Sequence, residues 1–337
     1  MTRALSAFLL LFGLVGLAAA APADAESGDG SSSTSSINEL LTSASRAVSR
    51  QTYRGVMVYL RENQIDTLRI IHRSQDGHEQ ERLVSLTGQP REVIREGGKV
   101  TSILPENQVV LISRRDRKGL LGNVAQFSAE RMQSHYEVSE SGRRRLSDRI
   151  CRVIRIEPRD KYRYGYRMLI DDKTHLPLKL DLLRDGEVLE QLLFTEIEFP
   201  DEIPDSAFDS SYDIDGYRVV EHQAVQVADT PVPEDAWKPT RLPPGFELAE
   251  DGIRRVTEAG VVRQLLFTDG VATVSAFIAP SGLRKPLKGP TTMGAVNAFG
   301  HVVGDTQITV VGEVPGVTVK QIAQHLVRES ASSRSEQ

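Results

Sequence analysis

The feature that most constrains the fold is a change of hydrophobic period at Tyr53. From there to residue 199 the chain runs through short segments in which apolar and polar side chains alternate, and residues such as Gly97-Gly98 and Asp185-Gly186 separate them. Alternation places successive side chains on opposite faces of a strand, and closely spaced strands with Gly and Asp turns are typical of antiparallel pairing. Roughly eleven such segments predict one large, curved antiparallel sheet with few helices to cover it.

A helix is predicted before the first strand. Ser36 and Glu39 have the spacing of a capping box, and apolar residues recur at helical spacing from Ile37 to Val48. The Ser-rich and Gly-rich residues 26–36 are expected to be disordered. Residues 114–134 break the strand pattern and are expected to hold helical turns that cross the sheet.

The first 25 residues have the pattern of a secretory signal peptide. Arg3 precedes an apolar core, and Ala23-Asp24-Ala25 forms a cleavage site before Glu26. An uncleaved anchor helix is the alternative, although the apolar run is of marginal length for a span. No later apolar run reaches the roughly 18 residues that a membrane-spanning helix needs. The sequence therefore predicts an exported protein.

Two domains are expected after the signal peptide. The large β domain covers residues 37–220, and the Pro-rich, polar residues 221–240 are predicted to form an exposed linker. A small α+β domain follows over residues 241–328, and the tail from 329 to 337 is expected to be frayed. Within the small domain, a hairpin turn is predicted at Asp269-Gly270, and a helix is expected to run from about Thr318, as its cap, to Arg328.

Residues 159–167, "RDKYRYGYR", interleave basic and aromatic side chains. Such a pattern suits a platform for single-stranded nucleic acid, but it is also what a half-buried strand shows. The net charge of −5 argues against a general nucleic-acid binder. Residues 143–167 hold ten Arg or Lys and residues 185–215 hold eleven Asp or Glu, so the two blocks are either solvated faces or neighbours that pair across the sheet.

The sequence offers no recognisable catalytic or metal-binding motif. The seven histidines lack metal-ligand spacing, and there is no nucleophile elbow, phosphate-binding loop or dinucleotide fingerprint. Cys151 is the single cysteine, and a small buried residue is favoured over a reactive thiol. We therefore expect no enzyme activity, no cofactor and no metal. A curved sheet covered on one side by helices makes a concave apolar pocket, which suits a lipid or an extended peptide.

Several segments resemble, in order, the RseB/MucB family of periplasmic regulators of the sigma-E, or alginate, envelope-stress response. The resemblance runs from about residue 37 to residue 328 and includes both predicted domains. One departure precedes Cys151, where Ser147-Asp148-Arg149 stands in place of the family's expected Ala-Gly-Arg, and it puts the local turn in doubt. The segments are "YRGVMVYL", "IIHRSQDGHEQERLVSLTGQPREVIREG", "IEPRDKYRYGYRMLIDDKTHLPLKLDLL", "LPPGFEL", "LLFTDGVATVSAFI" and "VVGEVPGVTVKQIA".

The resemblance implies a large N-terminal domain similar to the lipoprotein carriers of the LolA/LolB type, a half-open antiparallel β-barrel with plug helices, plus a smaller α+β domain. It implies that the protein binds the periplasmic segment of a membrane-anchored anti-sigma factor of the RseA/MucA type and shields it from regulated proteolysis, which makes it a regulator of transcription. Lipopolysaccharide or lipoprotein acyl chains would release it. It would reside in the periplasm and associate with the inner membrane only through this partner.

The alternative function is a periplasmic lipid or lipoprotein carrier of the same fold. The second domain favours the regulator, because a simple carrier does not need one. No nucleic-acid partner is expected in the periplasm, and the oligomeric state stays open, a homo-oligomer included.

Two groups of candidate binding residues follow from these expectations. In the first, the tyrosines are expected to pack inward or line the rim of the pocket, and the basic residues to face outward toward lipid head groups. The members are Lys161, Tyr162, Arg163, Tyr164, Tyr166 and Arg167. The second group surrounds the predicted hairpin of the small domain and is expected to help hold the anti-sigma factor: Phe267, Asp269, Gly270, Val274 and Phe277.

Overall fold

The computed structural model describes residues 31–62, 64–75, 77–114, 120–121, 127, 132–222, 237–257, 260–281 and 287–328. The predicted signal peptide, most of the predicted linker and the tail lie outside the described residues. Among the residues described, no helix has both the length and the apolar character needed to cross a bilayer.

Twelve strands form one large sheet. In chain order they are β1 (Tyr53–Arg61), β2 (Gln64–Gln75), β3 (His78–Ser85), β4 (Glu92–Glu96), β5 (Lys99–Leu104), β6 (Val109–Arg114), β7 (Tyr136–Leu146), β8 (Arg149–Pro158), β9 (Gly165–Asp171), β10 (Pro177–Arg184), β11 (Glu187–Glu198) and β12 (Arg218–His222). Their order across the sheet is β12-β6-β5-β4-β3-β2-β1-β11-β10-β9-β8-β7.

This order consists of two meanders that lie side by side. β1 to β6 form one and β7 to β11 the other, and β1 pairs antiparallel with β11 to join them. β12 adds to β6 in parallel, which is possible because the long chain between these strands serves as the crossover. The sheet does not close, since β7 and β12 are its two ends. The prediction of a large, half-open, mainly β fold is confirmed, and the one departure from an antiparallel sheet among the described strands is the parallel pairing of β12 with β6.

The helix α1 (Ser31–Arg50) covers one face of this sheet. It packs against both β2 and β7, which are far apart in the strand order, so it crosses a curved surface. Leu41 and Ala44 are almost completely buried on its inner face, in one apolar core with Met57, Ile154 and other strand residues. Helical periodicity predicted this packing correctly.

The start of α1 differs from the prediction. The helix begins at Ser31, whereas disorder was expected through Ser36. Serine in a helix costs only about half a kcal/mol relative to alanine, so a serine tract extends a helix whose apolar face is held by packing.

Little of the segment predicted to cross the sheet is described. Leu121, Phe127 and Met132 are buried in the same core as α1, so these positions do cover the sheet. The expected helical turns otherwise lie outside the described residues. Cys151 is also buried in this core, and burial raises the pKa of its thiol to about 11. That placement favours the interpretation of a small core residue.

A strap formed by residues 203–211 lies across β2, β3 and β4. Arg73 donates a hydrogen bond to the Ile203 carbonyl at 2.6 Å, and Arg82 donates one to the Ala207 carbonyl at 2.9 Å. The buried Glu92 accepts a hydrogen bond from Ser210 Oγ at 2.6 Å. Part of the acidic block therefore contacts β2 to β4, far from the basic block.

A second, smaller unit follows in the chain. Its six-stranded sheet has the order β14-β15-β16-β19-β18-β17, and a helix, α2 (Gly316–Gln324), packs on it. A two-stranded ribbon pairs β13 with β20. The strands are β13 (Trp237–Pro239), β14 (Glu247–Thr257), β15 (Gly260–Thr268), β16 (Thr273–Pro280), β17 (Gly289–Met293), β18 (Val296–Val303), β19 (Thr306–Gly312) and β20 (Leu326–Arg328).

The predicted hairpin is present, because β15 and β16 pair antiparallel from Thr268↔Thr273 onward. The predicted last helix was wrong at both ends. It begins at Gly316, two residues before Thr318, and it ends at Gln324. Residues 326–328 form β20 instead, because they pair with β13.

Candidate functional site

The basic and aromatic stretch from residue 159 to 167 lies where the small unit meets the large sheet. Residues 159–164 form turns, and the strand β9 begins only at Gly165. The alternation in this stretch is therefore not a strand pattern over its first half. Backbone turns let neighbouring side chains point at several elements at once, and we call the resulting contact region the junction.

Arg163 is the centre of the junction, and its side chain is completely buried. Its Nε donates to Asp269 Oδ2 at 2.7 Å, its Nη2 donates to the Pro244 carbonyl at 2.6 Å, and its Nη1 bonds Asp160. The guanidinium also lies 5.3 Å from the centre of the Phe246 ring. A buried arginine needs such neighbours, because charge without partners costs several kcal/mol to remove from water.

The hairpin of the small unit is shaped to present Asp269 to Arg163. Asp269 Oδ1 accepts hydrogen bonds from the backbone amides of Val271 at 2.9 Å and Ala272 at 2.7 Å, while Oδ2 faces Arg163. Asp is favoured in turns for this local bonding. One carboxylate therefore both closes the β15–β16 turn and pairs with the large unit.

A second contact runs through Tyr164. Its hydroxyl donates to the Ala295 carbonyl at 3.1 Å and accepts from Asn297 Nδ2 at 3.0 Å. Asn297 also donates to the Val314 carbonyl at 2.8 Å. Ala295 is fully buried within the core of the large sheet, so the apolar core continues across the junction.

A third contact uses two glutamates of the large sheet. Glu190 Oε1 accepts from the Ala295 amide at 2.9 Å, and Glu62 Oε1 accepts from the Gly294 amide at 2.9 Å. Tyr59 donates its hydroxyl proton to the other oxygen of Glu190. The turn between β17 and β18 is thus held by charge-assisted hydrogen bonds, which are stronger than neutral ones.

Glu313 lies beside this third contact, between β19 and α2. Burial, followed by the nearby charge of Glu190, raises the pKa of its carboxyl group from the ordinary 4.5 to about 7. The negative charge of Glu190 repels a carboxylate at Glu313, and incomplete hydration of the site further disfavours the ionised form of Glu313.

The helix α2 makes a fourth contact. Thr318 Oγ1 donates to the Tyr162 carbonyl at 2.6 Å, and Thr318 itself is completely buried. The sequence predicted that Thr318 caps the helix. Its hydroxyl instead donates a hydrogen bond across the junction, so it does not act as the cap.

The candidate lipid residues are separated by the structure. Lys161 is exposed, with its ammonium group 5.6 Å from the centre of the half-buried Tyr162 ring, and Tyr164 and Tyr166 are buried as expected. The expected outward orientation is wrong for Arg163, because the junction encloses it. Arg167 is 30% exposed and its guanidinium bonds Asp181 at 2.6 Å, so it is an ion-paired residue of the sheet.

The ion pairs of the basic block, residues 143–167, show whether it pairs with the acidic block, residues 185–215, across the sheet. Its arginines pair with carboxylates from their own neighbourhood or across the junction rather than with the acidic block. Those carboxylates are Glu140, Asp148, Glu157, Asp160, Asp171, Asp172, Asp181 and Asp269.

The candidate partner residues are also divided. Phe267 and Val274 are fully buried in the core of the small unit, and Asp269 is enclosed in the junction, so none of these three side chains offers a surface to a partner. Phe277 is half-buried and points away from that core, since Ala276 and Ile278 on either side of it in β16 point into the core. Gly270, with φ of 90°, occupies the hairpin turn.

Sequence analysis missed the residues that complete the junction: Glu62, Glu190, Asn297, Glu313 and Thr318. Within the part of the chain described, no group of three or more His, Cys, Asp and Glu side chains could hold a metal ion.

Comparison with known proteins identifies the family. The model of the MucB/RseB N-terminal domain matches residues 36–212, and that of the MucB/RseB C-terminal domain matches residues 231–327. The curated relatives include the sigma factor AlgU regulatory protein MucB of Pseudomonas aeruginosa, 29% identical, with 98% of this chain and all of that protein covered. The sigma-E factor regulatory protein RseB of Escherichia coli K12 is 26% identical, with 88% of this chain and 92% of that protein covered.

Solved structures agree with these matches. The complex of Pseudomonas aeruginosa MucA and MucB contains a chain that superposes with a TM-score of 0.68 at 27% identity, covering 88% of this chain and all of that one. A second structure, a crystal structure of MucB, superposes with a TM-score of 0.59 at 28% identity and covers 90% of this chain and all of that one. The relatives carry the names of regulatory proteins, in agreement with the expectation that the protein is not an enzyme. Because both family models match in chain order and together span most of its length, the chain belongs to the MucB/RseB family of sigma-factor regulators.

Proposed function

We propose that this protein is an exported regulatory protein of the periplasm that binds the periplasmic segment of a membrane-anchored anti-sigma factor of the RseA/MucA type. The observation that carries the proposal is the solved complex of MucA and MucB. One chain of that complex superposes on this protein over its whole length. The signal peptide would direct export and would be cleaved after residue 25. Binding would shield the anti-sigma segment from regulated proteolysis and so keep the sigma factor restrained.

The proposal assigns the two units different tasks. The predicted linker, residues 221–240, is too long at both ends, because β12 ends at His222 and β13 of the small unit begins at Trp237. The large domain, residues 37–222, would receive lipid, the small domain, residues 237–328, would contribute to partner binding, and residues 223–236 would link them. Four routes of contact at the junction support joint action, since polar bonds and a continuous apolar core connect the units.

Partner binding is tested with the purified chain and the periplasmic domain of a MucA-type anti-sigma factor. Phe277→Ala is expected to weaken binding roughly tenfold, because a half-exposed aromatic in an interface commonly contributes more than 1 kcal/mol. Leu248→Ala, at an apolar side chain of β14 that is more exposed than Phe277, is the control and is expected to bind normally. Isothermal titration measures both affinities. An unchanged affinity for Phe277→Ala would remove the face around Phe277 from the partner site, and no binding by the parent chain would overturn the function.

The release signal in this proposal is lipopolysaccharide, which has an anionic head group, or the apolar acyl chains of a lipoprotein. Among the first group of candidates, Lys161 and Tyr162 keep accessible surface beside the junction. Lys161→Glu is expected to raise the lipopolysaccharide concentration that displaces the partner, whereas Lys320→Glu, at an exposed lysine of α2, is expected to leave it unchanged. The effect of Lys161 should shrink at high salt, because exposed charges are screened.

A lipid or lipoprotein carrier is the second candidate function. The observation that favours it is α1, a helix that covers one face of an open sheet and buries a wide apolar surface there. Capture from an envelope extract distinguishes the two functions. Recovery of one inner-membrane protein supports the regulator, and recovery of assorted lipoproteins supports the carrier.

A further inference from the structure

The turn between β17 and β18 reaches from the small unit into the large one. Ala295 in this turn is completely buried and belongs to the apolar core of the large sheet, although the strands on either side of it belong to the small unit. Val271, in the turn of the β15–β16 hairpin, packs against the same core. Two turns of the small unit therefore cover one part of the large core.

The large unit binds the β17–β18 turn through its main chain. Glu62 accepts a hydrogen bond from the Gly294 amide at 2.9 Å, and Glu190 accepts one from the Ala295 amide at 2.9 Å. The hydroxyl of Tyr164 donates to the Ala295 carbonyl at 3.1 Å. All three bonds end on main-chain atoms of the turn, and the side chain buried beside them is a single methyl group. We call this set of partners, Glu62, Tyr164 and Glu190, the turn site.

A neighbouring side chain holds the buried acceptor of the turn site in place. Tyr59 donates its hydroxyl proton to the second oxygen of Glu190, so the first oxygen stays directed at the Ala295 amide. Space is limited beside this acceptor, because a Cβ at Gly294 would lie 2.6 Å from Glu190 Oε1 and 3.0 Å from Arg61 Cδ. The turn site therefore selects main-chain amides and a carbonyl that have little bulk on one side and an apolar group on the other.

One class of lipid carries these groups together. In an N-acylated peptide, an acyl chain is joined by an amide to the first residue, so amide donors, carbonyl acceptors and a long apolar chain lie side by side. The chain would take the core surface that Ala295 and Val271 now cover, and it buries more methylene groups than one methyl side chain does. A phosphate head group fits the turn site poorly, because the carboxylates of Glu62 and Glu190 would face its negative charge.

We propose that the turn site receives the N-acylated end of a peptide, the chemistry of a lipoprotein amino terminus, and that the β17–β18 turn is its internal competitor. The acyl peptide and the docked turn need the same acceptors and the same apolar surface, so only one of them occupies the site at a time. Lipid binding therefore requires the small unit to lift from the large one. This deepens the proposed function, on which it rests, because it assigns the lipid signal to one site and links that site to the unit that would contribute to partner binding.

Isothermal titration of the full chain tests the ligand class. The probe is N-lauroyl-glycyl-alaninamide, and dodecyl phosphate is the comparison because it joins a chain of the same length to a phosphate. The acyl peptide should bind roughly tenfold or more tightly than the phosphate, since like charges facing each other oppose binding.

Thr318→Val tests the competition between the probe and the docked turn. The variant removes the hydrogen bond that Thr318 donates to the Tyr162 carbonyl at 2.6 Å, at a contact away from the turn site. Loss of one hydrogen bond should weaken docking and raise the affinity for the acyl peptide about fivefold, because that affinity scales with the undocked fraction. Thr240→Val is the control and should bind like the parent, because the Thr240 hydroxyl bonds the His325 carbonyl at 3.1 Å within the small unit.

Hydrogen exchange of single backbone amides locates the bound probe in the parent protein. At saturating acyl peptide the Gly294 and Ala295 amides should lose protection, whereas the Val310 amide of β19, which lies between two paired strands, should keep it. Continued protection of Ala295 would overturn the inference, and so would an unchanged affinity of Thr318→Val. Failure of the acyl peptide to bind, or tighter binding of dodecyl phosphate, would overturn it as well. The partner titration contains no lipid, so it decides the proposed function separately.

Discussion

At the scale of single residues, Arg163 shows how context overrides composition. A basic side chain beside three tyrosines was expected to face outward, yet its guanidinium lies at the centre of the junction with Asp160, Asp269 and the Pro244 carbonyl around it. All three nitrogens of the guanidinium are used, which lysine with its single ammonium group cannot reproduce. Arg163 therefore fixes the orientation of one unit relative to the other.

Arg163→Ala is expected to be strongly destabilising. Removal of the cation leaves Asp269 and Asp160 as buried or half-buried charges without their partner, and loss of one member of a buried pair costs about 3–5 kcal/mol. The control is Arg155→Ala, because Arg155 is 45% exposed and pairs with Glu157 at 3.3 Å on the surface. That pair should contribute no more than about 1 kcal/mol. Urea unfolding measures both variants, and similar losses in the two would contradict the central role of Arg163.

At the scale of elements, turns rather than strands make the junction. The β15–β16 turn presents Asp269, the β17–β18 turn presents Gly294 and Ala295, and the turns before β9 present Arg163 and Tyr164. Strand interiors supply the acceptor Glu190 and the core beneath. Short turns with locally bonded side chains hold these groups in place, which explains how loop residues achieve buried contacts.

Gly294 offers a test at this scale, because a matched glycine exists. Gly294 and Gly304 have nearly the same positive φ, 60° and 59°, in the turns at the two ends of β18. An added Cβ at Gly294 would lie 2.6 Å from Glu190 Oε1, whereas at Gly304 it would meet nothing within 4 Å. Both alanine variants pay about 1 kcal/mol for the left-handed backbone. Gly294→Ala should lower the stability of the protein further than Gly304→Ala, because its Cβ displaces Glu190, the acceptor of the Ala295 amide. Thermal melting measures both variants, and equal melting temperatures would contradict this prediction.

At the scale of the whole molecule, two sheets with their own cores share one docked interface. The large core surrounds α1, the small core surrounds α2, and Ala295 joins the large core from the small unit. Polar contacts dominate the rest of the interface, as is usual between domains of one chain. Such an interface holds the units together through polar bonds and through the shared apolar contact at Ala295.

Limited proteolysis tests the proposed division of the chain. Cleavage is expected first within residues 223–236, between β12 and β13, because Pro-rich, polar segments between domains carry few packed side chains. Arg163→Ala should speed that cleavage, since a loosened junction gives the protease better access. Preferential cleavage between residues 140 and 200 would contradict the proposed boundary, because those residues form β7 to β11 of the large sheet.

The sequence by itself determined the strands β1 to β11, the amphipathic face of helix α1 and the β15–β16 hairpin. These elements depend on local periodicity and turn chemistry, which a chain carries in consecutive residues. The motifs that resemble the RseB/MucB family also identified the family correctly, since both family models match in order. Burial of Tyr166 in β9 followed from the same pattern of a sheet with one inner face, whereas Tyr164 precedes the strand and contacts the small unit.

The tertiary structure alone decided the junction. Arg163 and Asp269 are 106 positions apart in the chain, and Glu190 and Ala295 are 105 apart. No local pattern connects such residues, and only the packing of the small unit against the large sheet gives each buried charge its partner. Packing within the small unit buries Phe267 and Val274 in its own core, although both were candidate binding residues. The raised pKa of Glu313 likewise depends on burial and on the neighbouring charge of Glu190, which are properties of the folded arrangement rather than of the side chain.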